Sequence, residues 1–154
     1  MATKRKTKEK SEGSVLRKRI LVVDDHPVMR EAVVQWINNS TDMDVCGEAE
    51  SVVKAVSLAK KSKPDLVLTD ISLKGKDGLE LIKSLRAMNP ALPVLVLSMH
   101  SESLYARRAF SAGASGYIMK RDGGEHVVKA IREIFQGRVA ISPNFSVALR
   151  KRLK

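Results

Sequence analysis

The chain has 154 residues, of which 44% are hydrophobic, so its composition is that of a folded protein and excludes wholesale disorder. No apolar run approaches the roughly 18 residues of a membrane-spanning helix, and no secretory signal follows the N-terminal charges, so no membrane partner is predicted. The net charge is +11, of which residues 1–19 contribute +6 and residues 146–154 contribute +4. Residues 20–145 are therefore nearly neutral, which argues against a DNA-binding surface on the domain itself.

Charge and apolar spacing divide the chain into parts. Residues 1–18 are predicted to be a basic, flexible arm. Residues 19–137 alternate continuous β-branched runs, typical of strands buried on both faces, with segments whose apolar residues recur every three or four positions, typical of helices. The predicted strands lie at 20–23, 44–49, 66–69, 94–97 and 115–119. The predicted helices lie at 27–38, 52–60, 79–88, 102–111 and 124–135.

This alternation predicts an α/β fold in which a parallel sheet is covered by helices on both faces. Right-handed crossovers make such a sheet doubly wound, and the flavodoxin-like strand order 2-1-3-4-5 is the common five-stranded arrangement. Periodicity alone does not fix that order. The single cysteine, Cys46, falls in the second strand and cannot form an internal disulfide, which favours a reducing cytoplasm.

Polar residues follow four of the predicted strands at the point where each strand ends. In a doubly wound sheet, ligand sites form outside the carboxyl ends of the strands, so these side chains should gather at one rim. They are Asp24 and Asp25 after the first strand, Asp70 after the third, Ser98 after the fourth and Lys120 after the fifth.

These residue types suit a magnesium-dependent phosphoryl site. Three carboxylates in one pocket repel one another and require a cation, and oxygen ligands favour Mg²⁺. An ionised Asp70 beside the metal is able to attack phosphorus, as an Asp nucleophile does in forming an aspartyl phosphate. The metal and the Lys120 ammonium would offset the charge of the transferring group, and the Ser98 hydroxyl would donate to a phosphate oxygen.

The four strand ends together with the Gly116–Lys120 segment resemble the signature of response-regulator receiver domains, which have a CheY-like fold. The segments Val23–Pro27 and Gly113–Tyr117 resemble the NarL/FixJ branch of that family, and the resemblance spans roughly residues 19–137. It implies a two-component phosphorelay in which Asp70 accepts a phosphoryl group from a histidine kinase or a phosphotransfer protein. Such a domain is consumed as a stoichiometric acceptor and catalyses only its own phosphorylation and dephosphorylation.

The resemblance also implies a role for each site residue. Asp25 would ligate Mg²⁺ directly, Asp24 largely through water, and the Ser72 backbone carbonyl would complete the metal site beside Asp70. Lys120 would contact the phosphoryl group.

Ser98 and Tyr117 would be paired switch residues, since the hydroxyl moves toward the phosphate and the aromatic ring turns inward. The altered surface would be formed by the fourth predicted helix (102–111), the fifth strand (115–119) and the fifth helix (124–135), called the α4-β5-α5 face, and would include Tyr105, Arg107, Arg108 and Tyr117. The family also allows a homodimer, either through that face or through the face of the first and fifth predicted helices (27–38 and 124–135), called the α1/α5 face.

The sequence departs from the family pattern in places. Lys74 stands where a proline is common, and Arg121 follows the conserved lysine where many receivers have a cis-proline. Most NarL/FixJ proteins continue into a LuxR-type helix-turn-helix, whereas residues 138–154 are predicted to be only a basic linker and C-terminal helix. DNA binding is therefore expected only through an output domain that this chain lacks.

Three residues near the rim are candidate modulators. His26 is either a ligand or proton donor or a loop residue beside the pocket. His100, two residues after Ser98, would affect hydrolysis of the acyl phosphate, and Ser72 follows Asp70 closely enough to do the same.

Two other functions compete with the phosphorelay switch. A Mg²⁺-dependent phosphatase of the haloacid-dehalogenase type also uses an Asp nucleophile, although there the motif follows the first strand. A nucleic-acid-binding module driven by the basic tails is the other alternative, but the sequence contains no helix-turn-helix, zinc-finger or aromatic stacking motif.

Overall fold

A computed structural model describes residues 16–73, 76–99 and 103–142 of the protein. The main strands are β1 Lys18–Val23, β2 Met43–Ala49, β3 Leu66–Asp70, β4 Val94–Ser98, β5 Gly116–Met119 and β6 Ala140–Ile141. The helices are α1 Pro27–Asn38, α2 Val52–Ser62, α3 Gly78–Met88, α4 Ser103–Ala112 and α5 Gly124–Phe135. A short antiparallel ribbon joins Ser72–Leu73 to Lys76–Asp77, and a 3₁₀ turn spans Lys120–Asp122. Among the described helices, none is long and apolar enough to cross a membrane.

The main sheet is parallel throughout, with the order β2-β1-β3-β4-β5-β6. This confirms the predicted doubly wound fold and its order 2-1-3-4-5, to which the structure adds a sixth strand. The register brings the strand ends to one level, with Val23 opposite Thr69, Asp70 opposite Leu97, and Ser98 opposite Met119. The carboxyl ends of β1, β3, β4 and β5 therefore form one continuous rim.

Helices cover both faces of the sheet, which is why the central strands read as unbroken apolar runs. Along β1, Leu21 and Val23 belong to the core cluster that includes residues of α2, α3 and α4. Ile20 and Val22 point the other way and belong to the cluster that includes residues of α1 and α5. All four side chains are buried, so the rim residues that follow them are held by a well-packed frame.

Strand β6 extends the sheet into the segment that the sequence analysis assigns to the linker. The Ala140 amide donates to the Ser115 carbonyl at 3.3 Å, and the Ser142 amide donates to the Tyr117 carbonyl at 3.1 Å. The Ser142 hydroxyl, fully buried, lies 2.6 Å from Asp122 Oδ2 in the 3₁₀ turn. Strand β5 is thus paired on both edges, and the residues after α5 are tied to the turn that begins at Lys120.

A bidentate ion pair between Arg132 and Asp42 links α5 to the loop before β2. Arg132 Nε and Nη2 each donate to an oxygen of Asp42 at 2.9 Å. The Arg132 hydrogen bonds hold the pKa of the Asp42 carboxyl below its usual value of 3.8. Because the folded-state pKa is depressed, the pair stabilises the fold fully above that value and loses its effect as pH falls through the lowered pKa.

Replacing Asp42 with asparagine should therefore lower the free energy of unfolding at pH 7 by about 0.5 kcal/mol, since both partners are nearly half exposed. Urea unfolding at pH 7 and at a pH well below 3.8 measures the effect, and the difference from the parent should vanish in acid. Glu31→Gln, which replaces an exposed carboxylate on α1 beyond the first turn, is the control. A difference that is equally large at both pH values would show that the ion pair is not its cause.

Candidate functional site

The structure brings the carboxylates and the ammonium predicted for the rim into one pocket. Asp24 follows β1, Asp70 ends β3, and Lys120 follows β5 as the first residue of the 3₁₀ turn. These three side chains are buried, with exposed fractions of 3%, 5% and 8%. Asp25 lies beside them, part-exposed at the mouth of the pocket. Four charged groups at the end of a buried sheet are costly to desolvate, so each requires an opposite charge.

Lys120 supplies that charge to two of the carboxylates. Its Nζ lies 2.9 Å from Asp70 Oδ2 and 3.3 Å from Asp24 Oδ2. A buried ammonium between two carboxylates holds them at a fixed spacing. The same ammonium is within reach of any group attached to Asp70, because it already donates a hydrogen bond to that carboxylate.

His26 brings a nitrogen to the same cluster. Its Nδ1 lies 3.0 Å from Asp24 Oδ1, 3.0 Å from Asp25 Oδ1 and 3.8 Å from Asp70 Oδ2. The ring is 64% exposed, so it lines the mouth of the pocket and is not part of the core. The sequence predicts His26 either as a ligand or proton donor or as a loop residue beside the pocket, and the observed distances do not by themselves decide between these roles.

The loop after β3 is shaped by a close backbone approach. The Gly78 amide donates to the Ile71 carbonyl at 2.6 Å, so α3 begins directly against the residue that follows Asp70. A Cβ at Gly78 would lie 2.5 Å from the Ile71 oxygen, which explains why this position has no side chain. Within the loop, the exposed Ser72 donates its amide to Asp70 Oδ1 at 3.4 Å, a long and weak bond.

The two predicted switch residues are both fully buried. Ser98 ends β4 at the rim, and Tyr117 lies in the middle of β5 opposite Val96. The Tyr117 ring belongs to the core cluster that also contains Ala106 and Ala109 of α4. These small residues leave room for an aromatic ring between β5 and α4. The ring is therefore packed between the sheet and α4.

Arg30 is a pocket residue that sequence reasoning missed. Its Nη1 donates to the Asp24 backbone carbonyl at 2.7 Å, while its Nε lies 3.3 Å from a Glu48 carboxylate oxygen. From the first turn of α1, it therefore fixes the backbone that carries the two adjacent acids. The available signal was a basic residue six positions after Asp24 on the helix that follows the acidic pair.

Other predicted residues lie away from the pocket or outside the described part of the chain. On α4, Arg107 and Arg108 are exposed and Tyr105 is half-buried, as expected for a contact surface. Cys46 lies on β2 with its sulfur 3.8 Å from the Ser62 hydroxyl. Lys74, His100, the first residue of the predicted helix 102–111, and the segments 1–15 and 143–154 lie outside the described residues, as do residues 75 and 101.

The pocket residues fit a hard divalent cation. One ligand atom from each of Asp24, Asp25, His26 and Asp70 lies within 4.8 Å of every other, which is close enough for all to contact one ion. Three carboxylates among the four donors match the oxygen preference of Mg²⁺.

Comparison with known protein sequences gives one consistent family. The model of the response regulator receiver domain matches residues 20–132. The response regulator GacA of Pseudomonas aeruginosa is 35% identical over 131 residues, which are 85% of this chain and 61% of that protein. The response regulator VraR of Staphylococcus aureus is 31% identical over 136 residues, 88% of this chain and 65% of that protein. The chain thus spans less than two thirds of the length of these relatives.

Solved structures agree with the sequence matches. A two-component response regulator of the LuxR family from Aurantimonas sp. SI85-9A1 is 35% identical with a TM-score of 0.83, covering 90% of this chain and 99% of that one. The signal receiver domain of a response regulator NarL from Mycobacterium tuberculosis is 33% identical with a TM-score of 0.76, covering 80% of this chain and all of the other. These likenesses show that the chain shares its fold with both structures.

Proposed function

The chain belongs to the response regulator receiver domain family of two-component systems, and we propose that Asp70 is its phosphoryl acceptor. The donor is the phosphohistidine of a histidine kinase or a phosphotransfer protein. The observation that carries this proposal is the buried Asp70 carboxylate, whose oxygen lies 2.9 Å from Lys120 within a cluster of acids. A cytoplasmic location belongs to the same proposal, since it rests on family membership.

The transfer is a displacement at phosphorus. An Asp70 oxygen forms the new P–O bond as the P–N bond of the phosphohistidine breaks, and the freed imidazole nitrogen takes up a proton. The Lys120 ammonium, which already contacts Asp70, stabilises the charge on the transferred group. Asp24, Asp25 and Asp70, with the Ser72 carbonyl, would hold Mg²⁺. The ion supplies charge neutralisation between the acids and the phosphoryl oxygens when bound.

Ser98 and Tyr117 are the residues that change position in response to phosphorylation. The Ser98 hydroxyl, buried at the rim, turns toward the new phosphoryl oxygens, and the inward position of the Tyr117 ring becomes the preferred one. Because Tyr117 is covered by α4, this changes the α4-β5-α5 surface offered to a partner. A homodimer through that surface or through the α1/α5 face, and DNA binding by an attached output domain, are consequences that follow in a longer regulator.

Such a domain acts as a stoichiometric carrier. It promotes its own phosphorylation and the later hydrolysis of the acyl phosphate, and it does not turn over a free substrate. A dehalogenase-type phosphatase fits less well, because its nucleophile follows the first strand, whereas Asp70 ends β3. The nucleic-acid module would depend on the basic tails, while the receiver match covers the nearly neutral part of the chain.

Incubation of the full chain with acetyl phosphate and Mg²⁺ should add the mass of one phosphoryl group, as measured by intact-protein mass spectrometry. A chelator added before the phosphodonor should prevent the gain, because three acids then face the anionic donor with only Lys120 between them. Hydroxylamine should remove the label, since it cleaves acyl phosphates. Labelling that is unaffected by chelation would contradict the metal site, and catalytic turnover of p-nitrophenyl phosphate would contradict the role of a stoichiometric acceptor and favour a phosphatase.

A further inference from the structure

We propose that His26 is itself a ligand of the pocket's divalent ion, so that this site prefers Mn²⁺ over Mg²⁺ more strongly than an all-oxygen site would. The inference rests on the proposed function for the existence of the metal site and deepens it by naming a residue that sets metal preference. Asp70 could accept a phosphoryl group without His26 lying at this position.

The spacing of the donor atoms is the first argument. Adjacent ligands of an octahedral ion with bonds of about 2.1 Å lie about 3.0 Å apart. His26 Nδ1 lies 3.0 Å from an oxygen of Asp24 and 3.0 Å from an oxygen of Asp25. The nitrogen and the two oxygens are therefore spaced as neighbouring ligands of one ion. Asp70 Oδ2, at 3.8 Å from the nitrogen, completes the group on the remaining side.

The backbone explains why the ring stays there. His26 precedes Pro27, which disfavours the helical conformation at His26, and the observed φ of −99° and ψ of 109° are extended. The His26 amide also donates to Asp24 Oδ1 at 2.9 Å. These two restraints aim the side chain back at the acids. With the ring 64% exposed, burial of apolar surface does not account for its position.

Ligand chemistry gives the expected consequence. Imidazole nitrogen is a poor ligand for Mg²⁺ and a better one for divalent first-row transition metals. Among these, Mn²⁺ is the ion that also keeps the preference for carboxylate oxygen. A site with one imidazole and three carboxylates therefore gains more affinity for Mn²⁺ than for Mg²⁺. The competing explanation is that His26 only donates hydrogen bonds to the acids, in which case it occupies the place of the ion and weakens binding of both metals.

Pulsed electron paramagnetic resonance of the full chain with Mn²⁺ alone separates these explanations. The parent should show the nitrogen modulation of a directly bound imidazole, and His26→Ala should lose it. His126→Ala is the matched control, because His126 is an exposed ring on α5 that bonds a backbone carbonyl. His100→Ala is also needed, since that residue follows Ser98 closely in sequence. Absence of the signal in the parent, or its loss only in His100→Ala, would overturn the assignment.

Calorimetric titration provides a second readout. In His26→Ala, Mn²⁺ affinity should fall by about tenfold or more while Mg²⁺ affinity changes little, so the Mn²⁺ to Mg²⁺ ratio drops. If His26→Ala instead binds Mn²⁺ and Mg²⁺ more tightly by the same factor, His26 competes with the ion for its place. Labelling by acetyl phosphate separates the failure of this proposal from the failure of the proposed function. If the parent is labelled but its Mn²⁺ form shows no nitrogen modulation, only the ligand role of His26 is refuted. Nitrogen modulation without labelling refutes only the acceptor role.

Discussion

Replacing Asp70 with asparagine should abolish labelling by acetyl phosphate, from one phosphoryl group per chain to none. Asparagine keeps the shape of the side chain but lacks the anionic oxygen that attacks phosphorus. It also removes one of the two negative charges that hold the Lys120 ammonium, which lies 2.9 Å from Asp70 Oδ2. Intact-protein mass spectrometry after incubation with Mg²⁺ and the phosphodonor measures the loss.

Asp44→Asn is the matched control for this experiment. Asp44 is also a part-buried carboxylate paired with a cation, Arg17 at 2.9 Å, but it lies on β2 and not at the carboxyl rim. It should be labelled like the parent. The Asp70 variant should still fold, because Lys120 keeps its contact with Asp24 at 3.3 Å. If a folded Asp70→Asn protein is labelled as well as the parent, the acceptor lies elsewhere.

The sheet was predictable because its strands are buried on both faces. Runs such as Val94–Leu97 are apolar without alternation, which is the pattern of a parallel sheet covered by helices. Strand β6 was not predictable, because two residues carry no periodicity. Its pairing depends on Gly116, where a Cβ would lie 2.8 Å from the Ala140 oxygen. Such a contact between distant segments has no local sequence signal.

The site was predictable to the extent that it follows from topology. Parallel strands end at one edge, so Asp24, Asp70 and Lys120 had to meet once the order of the strands was right. The contacts of Arg30 and His26 depend instead on side-chain rotamers and on a backbone carbonyl as a partner. Neither of these is visible in the residue pattern, which is why the ligand geometry of the pocket emerged only from the structure.

Replacing Lys120 with methionine should destabilise the metal-free protein by about 3–5 kcal/mol at neutral pH, because it leaves buried carboxylates without their cation. Asp24 and Asp70 are 3% and 5% exposed, so water cannot take over the role of the ammonium. Urea unfolding in the presence of a chelator measures the loss. Lys129→Met, which replaces an exposed lysine on α5, is the control and should change stability by less than about 0.5 kcal/mol.

The cause of the lower stability of Lys120→Met can be tested by removing a negative charge that the substitution leaves without its cation. If repulsion between the acids is responsible, Asp70→Asn should recover part of the stability when it is combined with Lys120→Met. Mg²⁺ should likewise stabilise Lys120→Met more than it stabilises the parent, since a bound ion replaces the missing charge. A Lys120→Met protein as stable as Lys129→Met, or one insensitive to both treatments, would mean that the ammonium does not hold the acids together. The distances of 2.9 Å from Lys120 Nζ to Asp70 Oδ2 and 3.3 Å to Asp24 Oδ2 would then reflect proximity without a contribution to stability.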